Sequence, residues 1–307
     1  MIDTLGLKHV YALNNLSREK ALALGAKESV KGGGTQRLYI NPPKGEDGAR
    51  ITISYPHDDR VHVYSTFEIP KRLYGHNASL PDEIEAWTAI DSYCADTEKL
   101  LDIPFPSDSA IVSSVHFAAD FHVGENRILE TLSPLIWVEI PRYRPSMVFG
   151  GTSIYFQKKG EEICVYSKHH HVLNKYQNNL EAIEASRGNV RVEFRLKNRR
   201  GVERCRKRLS LSDVTASHIV STSVSEFLVS KAIKDIGPKL ILSPEDSPPN
   251  AAKLIFNAMS GSKAVRMWGM HQLFEGNGRY FYKDPQFGIS ERTGEEAYRE
   301  LRKLGAL

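Results

Sequence analysis

Hydrophobic and polar positions alternate along the chain in short runs, separated by stretches of helical period and by turns rich in glycine. A first strand is predicted over residues 5–12, and SREKALALGA from Ser17 reads as a helix with an N-cap and a glycine stop. QRLYIN, ARITISY and RVHVYSTFEI follow as three strands. In the third, Val61, Val63, Ser65 and Phe67 oppose Arg60, His62, Tyr64, Thr66 and Glu68, the mark of one buried and one polar face. KGEDGA between the first two fits a hairpin turn. KGGGT, residues 31–35, lacks the glycine spacing and following helix of a phosphate-binding loop and is read as a connector. PDEIEAWTAIDSYCADTEKLL has helical periodicity and an acidic first turn that suits the helix dipole.

Further along, IVSSVHFAADFHVG is predicted as a strand, GENRILETL as a helix, and GGTSIYFQKKGEEICVYSK as a hairpin turning at KKGEE. A helix around HVLNKYQNNLEAIEAS and the strand NVRVEFRLK come next. Helices interleaved with hairpins predict an α+β fold with a largely antiparallel sheet, rather than a doubly wound parallel one. No repeat of fixed period is visible. After residue 208 the pattern turns helical, interrupted by the linker SPEDSPPN, which divides the chain into a domain of residues 1–208 and a C-terminal helical domain of residues 209–307. Short helices with glycine-containing turns are compatible with a helix-turn-helix-like DNA contact.

A length of 307 residues suits one large core or two smaller ones. With 41% hydrophobic and 25% charged residues the composition is that of a soluble globular protein, and no apolar run nears the ~20 residues of a membrane span. The N-terminus lacks the basic and apolar regions of a secretory signal, and Cys94, Cys164 and Cys205 are too dispersed for a disulfide framework. Both features predict a cytoplasmic protein, and no CxxC pair suggests structural zinc. Net charge is only +4, but nine of the eighteen residues from 191 to 208 are basic: Arg191, Arg195, Lys197, Arg199, Arg200, Arg204, Arg206, Lys207 and Arg208. They are candidates for DNA phosphate contacts, against the plainer reading of a solvated charged face.

Side chains two apart on a strand share a face. One face of 115–123 therefore carries His116, Asp120 and His122; that of 163–168 carries Cys164, Tyr166 and Lys168; that of 190–196 carries Arg191, Glu193 and Arg195. If the opposite faces form a core, these groups meet on one surface. Aspartate, glutamate and histidine suit Mg²⁺ or Mn²⁺, basic groups suit phosphate, and a phenol can act as a nucleophile. Each has a plain alternative: a packed strand tyrosine, a surface ion pair, an edge-strand charge at Asp120, or a solvated His169–His171 cluster.

Several short motifs, in order, resemble those of the gene II-type replication initiators of filamentous phages. They are MID before a hydrophobic strand, GHN at residues 75–77 ahead of a long helix, GEN after an Asp-bearing strand, VYSKHHHVLNK, and VRVEFRLK. The resemblance covers about residues 1–208, and the tyrosine strand is also similar to that of staphylococcal plasmid rolling-circle initiators. It implies that Tyr166 attacks a scissile phosphodiester and stays linked to the 5′ end, with Lys168 contacting phosphate and Glu193 acting as metal ligand or base. Asp120 or His116, and His171 or His170, are the further ligands it implies for Mg²⁺ or Mn²⁺. Relatives commonly carry glutamate where this chain has His171, and an aspartate that aligns with His116 or Asp120. HHH lacks the apolar middle residue of the HUH nickases, so that class is not assigned. The implied partners are double- and single-stranded origin DNA and a host helicase, with the helical tail serving origin recognition or assembly into a homodimer. A non-catalytic origin-binding repressor and a nuclease that uses water are the rival readings.

Overall fold

The computed structural model describes residues 1–29, 36–40, 49–56, 59–133, 135, 140–148, 152–236, 266–267, 269–271, 273–274, 277, 281–283 and 289–304. The KGGGT connector, most of KGEDGA, the SPEDSPPN linker and residues 251–265 lie outside them. The fold is α+β, with a largely antiparallel sheet and packed helices. Its contacts divide the chain into one unit of residues 1–118 and 195–228 and another of residues 119–194 and 229–307. These units do not follow a single boundary near residue 209, because two strands and a helix each pass from one unit into the other.

In the first unit the strands are β1 (Ile2–Ala12), β2 (Lys27–Ser29), β3 (Gln36–Ile40), β4 (Arg50–Tyr55), β5 (Arg60–Glu68) and the start of β6 (Ile111–His122). They lie side by side in the order β2-β3-β4-β5-β1-β6. β5 is buried at every second position, as its alternation predicts. Its Val61, Val63 and Phe67 join Leu5 and Leu7 of β1 in the core. The Phe67 ring stacks on Tyr93 at 3.9 Å, which docks helix α3 (Glu83–Leu101) on this face. A capping box between Asp82 and Glu85 starts α3. Ser17 caps α1 (Arg18–Ala23), and α2 (Ile69–Tyr74) ends at Gly75, whose positive φ of 72° favours glycine. β1 begins three residues earlier than its pattern predicts, taking Asp3 into the strand. The short β2 and α2 have too few residues to show a period.

The second unit holds the end of β6, a 3-10 turn (Glu125–Arg127), α4 (Ile128–Leu132), β7 (Arg144–Val148), β8 (Ser153–Lys158) and β9 (Glu161–Ser167). α5 (Lys168–Lys175), α6 (Leu180–Ala185) and most of β10 (Asn189–Leu196) follow. Strand order here is β6-β10-β9-β8-β7. The β8–β9 hairpin turns at Lys159 and Gly160, where the sequence predicts it. The single helix expected over 171–186 is two helices: α5 starts at Lys168 with Ser167 as its cap, and Asn179 caps α6. All seven residues of β9 are buried, so the polar face expected to be open on this strand is covered on both sides.

Past β10 the basic run continues as helix α7 (Arg199–Leu209), capped by Asn198, and α8 (Ala216–Ile219) and α9 (Thr222–Ile236) follow. The last described element is α10 (Glu291–Lys303). Among the described residues no helix is long and apolar enough to cross a membrane.

Candidate active site on the tyrosine strand

Tyr166 is the penultimate residue of β9, and Ser167 turns the chain into α5 by accepting a hydrogen bond from the His170 amide. The strand end fixes the phenol. Its hydroxyl donates to Glu193 Oε1 at 2.6 Å, with Tyr166 5% and Glu193 2% exposed. That length is typical of a hydrogen bond to an ionised carboxylate. A hydroxyl that donates to a buried carboxylate is a geometry in which a nucleophile can be paired with a general base.

Lys168 is fully buried, and its Nζ lies 5.8 Å from the centre of the Tyr166 ring, where the aromatic face attracts a cation. Because α5 begins at Lys168, the histidines follow helical spacing instead of strand alternation. His171 comes back toward the strand, its ring 5.4 Å from that of Tyr166. His170 is exposed, and His169 Nδ1 is 3.4 Å from Ser186 Oγ.

Asp120 and Arg191 form a pair of their own. Arg191 donates from Nε and Nη2 to the two carboxylate oxygens of Asp120 at 2.6 and 2.7 Å. The Arg191 side chain is fully buried and that of Asp120 is 20% exposed. Sequence reasoning placed Arg191 among the DNA contacts and Asp120 among the metal ligands; here each is engaged by the other. The rest of the basic run is more accessible. Lys197, Arg199, Arg200, Lys207 and Arg208 are exposed, whereas Arg195, Arg204 and Arg206 are half-buried. Glu203 accepts from Arg206 at 3.0 Å.

Among the described residues, a ligand group that could hold a divalent ion comes from β1, β6 and β10. Asp3, His116 and Glu193 each offer one ligand atom, all within 4.8 Å of one another. Two carboxylates and an imidazole suit Mg²⁺ or, better, Mn²⁺. This group contains His116 and Glu193 from the expected set, and neither Asp120, His170 nor His171. Asp3 is the functional candidate that strand alternation missed, because the predicted strand began after it. The signal available in the sequence was the acid of MID at the head of a hydrophobic run. Across the β1–β6 ladder its neighbours Ile2 and Thr4 pair with Phe117 and His116, and the register shift between them leaves Asp3 at a bulge.

Neither comparison with protein-family models nor comparison with curated proteins gives a match for this chain.

Proposed function

We propose that the protein is a rolling-circle replication initiator, a site- and strand-specific DNA nickase that works through a covalent 5′-phosphotyrosine. The observation that carries this reading is the 2.6 Å hydrogen bond from the Tyr166 hydroxyl to Glu193. Glu193 takes the phenolic proton as the Tyr166 oxygen bonds to the scissile phosphorus. The bond from phosphorus to the 3′ oxygen breaks, and that oxygen leaves as a 3′-hydroxyl on picking up a proton. Rejoining is the reverse attack, so the phosphodiester's energy is kept and no nucleotide cofactor is needed. Lys168, with its Nζ 5.8 Å from the Tyr166 ring centre, is assigned to offsetting the developing phenolate and phosphorane charge. Asp3, His116 and Glu193 would hold Mg²⁺ or Mn²⁺, which supplies Lewis-acid polarisation of the phosphate oxygens.

The exposed cations of α7 are assigned to the DNA backbone. Origin DNA in duplex and single-stranded form is the substrate, with a host helicase as the expected partner, in the cytoplasm of a bacterial host. The near-complete burial of Tyr166 favours one rival, a non-catalytic origin-binding protein in which this tyrosine only packs. Incubation with supercoiled origin DNA and Mn²⁺, followed by a search for a protein–DNA adduct stable to detergent, tests the proposal against that rival.

A further inference from the structure

In the first unit, the face of the sheet turned away from α3 has a composition of its own. Register alone aligns Lys27, Tyr39, Thr52, Tyr64 and Lys8 in one row across five strands. The row has a cation at each end and aromatic rings between. Lys27 and Tyr39 are exposed, Thr52 and Tyr64 are half-buried, and Lys8 is buried with its ammonium over the Tyr64 ring, 5.4 Å from the ring centre.

The next row repeats the theme. Arg37, exposed, aligns through Ser54 with His62, whose ring meets that of Tyr64 edge-on at 6.3 Å. Arg50 and Arg60, at opposite ends of this face, are exposed as well. On the other side of the aromatic row the surface drops to Thr66, Gly6 and Ser114, and a side chain on Gly6 would collide with the Ser114 hydroxyl. One step beyond, Glu68, Thr4 and His116 are aligned. At this end of the face stand two acids, Glu68, held by Lys71 at 2.9 Å and by Asn77 at 3.3 Å, and Asp3, which accepts from Thr4 beside His116.

We infer that this face is a stacking platform for single-stranded DNA, leading along the strands to the row that contains His116. The inference rests on the proposed nicking function for the identity of the nucleic acid, and deepens it by naming the strand's path. Rows two residues apart lie about 6.6–6.8 Å apart along a strand, close to the repeat of an extended single strand. Bases stack on the Tyr64, His62 and Tyr39 rings, and the exposed Lys27, Arg37, Arg50 and Arg60 meet phosphates. The small-residue trough leaves room for the backbone to pass from the rings toward His116. Rings presented on an open sheet face accept unpaired bases and cannot reach those enclosed in a duplex, so single strands are the occupant.

The test uses the full chain carrying Tyr166→Phe, so that binding is read without cleavage. Fluorescence anisotropy is measured with a labelled thymidine oligomer of about 20 nucleotides and with a duplex of the same length. The single strand is expected to bind more tightly than the duplex. Tyr39→Ala and Tyr64→Ala are each expected to weaken it roughly ten-fold, and Tyr64→Phe to restore the affinity. Tyr39 is at the surface, so its variant keeps the test valid should Tyr64→Ala fail to fold. Unchanged affinity in both alanine variants, or tighter binding of the duplex, overturns the platform. Neither result bears on whether Tyr166 forms an adduct, and absence of an adduct does not alter the binding result.

Discussion

Tyr166 and Glu193 face each other from different strands, the phenol donating to the carboxylate at 2.6 Å in a nearly dry environment. Water competes little for either partner there, so the pair keeps its alignment without solvent rearrangement. If Glu193 serves as base, Glu193→Gln keeps the shape and removes the proton acceptor. Adduct formation is then expected to fall about 10²- to 10⁴-fold, measured in a single turnover at saturating Mn²⁺. A rate within a factor of two of wild type would assign the proton to another group.

Asp3 and Asp120 have different tasks in this account, and the same two measurements separate them. Asp3→Asn is expected to weaken Mn²⁺ binding at least ten-fold by calorimetry while leaving the urea midpoint near wild type. Asp120→Ala removes the carboxylate held by the fully buried Arg191 guanidinium. It is expected to cost about 3–5 kcal/mol of stability. An equal loss of metal affinity in both variants would return Asp120 to the ligand set.

Much of this arrangement is legible in the sequence, and the failures have physical causes. The alternation over 60–68 gives β5 and its buried face correctly, because every second side chain meets the same core. The same rule sets Glu193 on a face with Arg191 and Arg195, but it extends the tyrosine strand through Lys168. Ser167 ends the strand as a helix cap, so His171 and not His170 returns to Tyr166. Asp120 has the right face and an arginine neighbour that claims it, a contact that depends on strand order and not on local pattern. The covering of β9 on both sides is likewise invisible locally, since its source is elsewhere in the chain.

The exposed cations of α7 carry a salt signature. Each phosphate contact releases a counterion, so Lys207→Ala with Arg208→Ala is expected to reduce the slope of log affinity against log salt by roughly 2 on duplex DNA. An unchanged slope would mean that these side chains, exposed in the free protein, remain solvated in the complex.

Stability has its own pH dependence through His9. Burial pushes this imidazole below its ordinary 6.5, against a smaller opposing effect of its hydrogen bond to the Pro106 carbonyl. Phe105 lies 3.8 Å from it, ring centre to ring centre. The unfolded chain therefore binds the proton more readily than the folded one. This contribution is complete above about pH 6.5 and declines as the pH falls below it. Urea midpoints at pH 5 and pH 7.5 should differ less in His9→Gln than in wild type. An identical difference would assign the acid sensitivity elsewhere.

The central claim is that Tyr166 becomes covalently joined to DNA. Wild type and Tyr166→Phe are incubated with supercoiled origin DNA labelled on the strand to be cut, with Mn²⁺, and resolved under denaturing conditions. A labelled protein–DNA adduct at the 5′ side of the nick, digestible to a phosphotyrosine peptide at Tyr166, is expected in wild type, and none in Tyr166→Phe. Nicking without an adduct, or an adduct that persists in Tyr166→Phe, would contradict the claim.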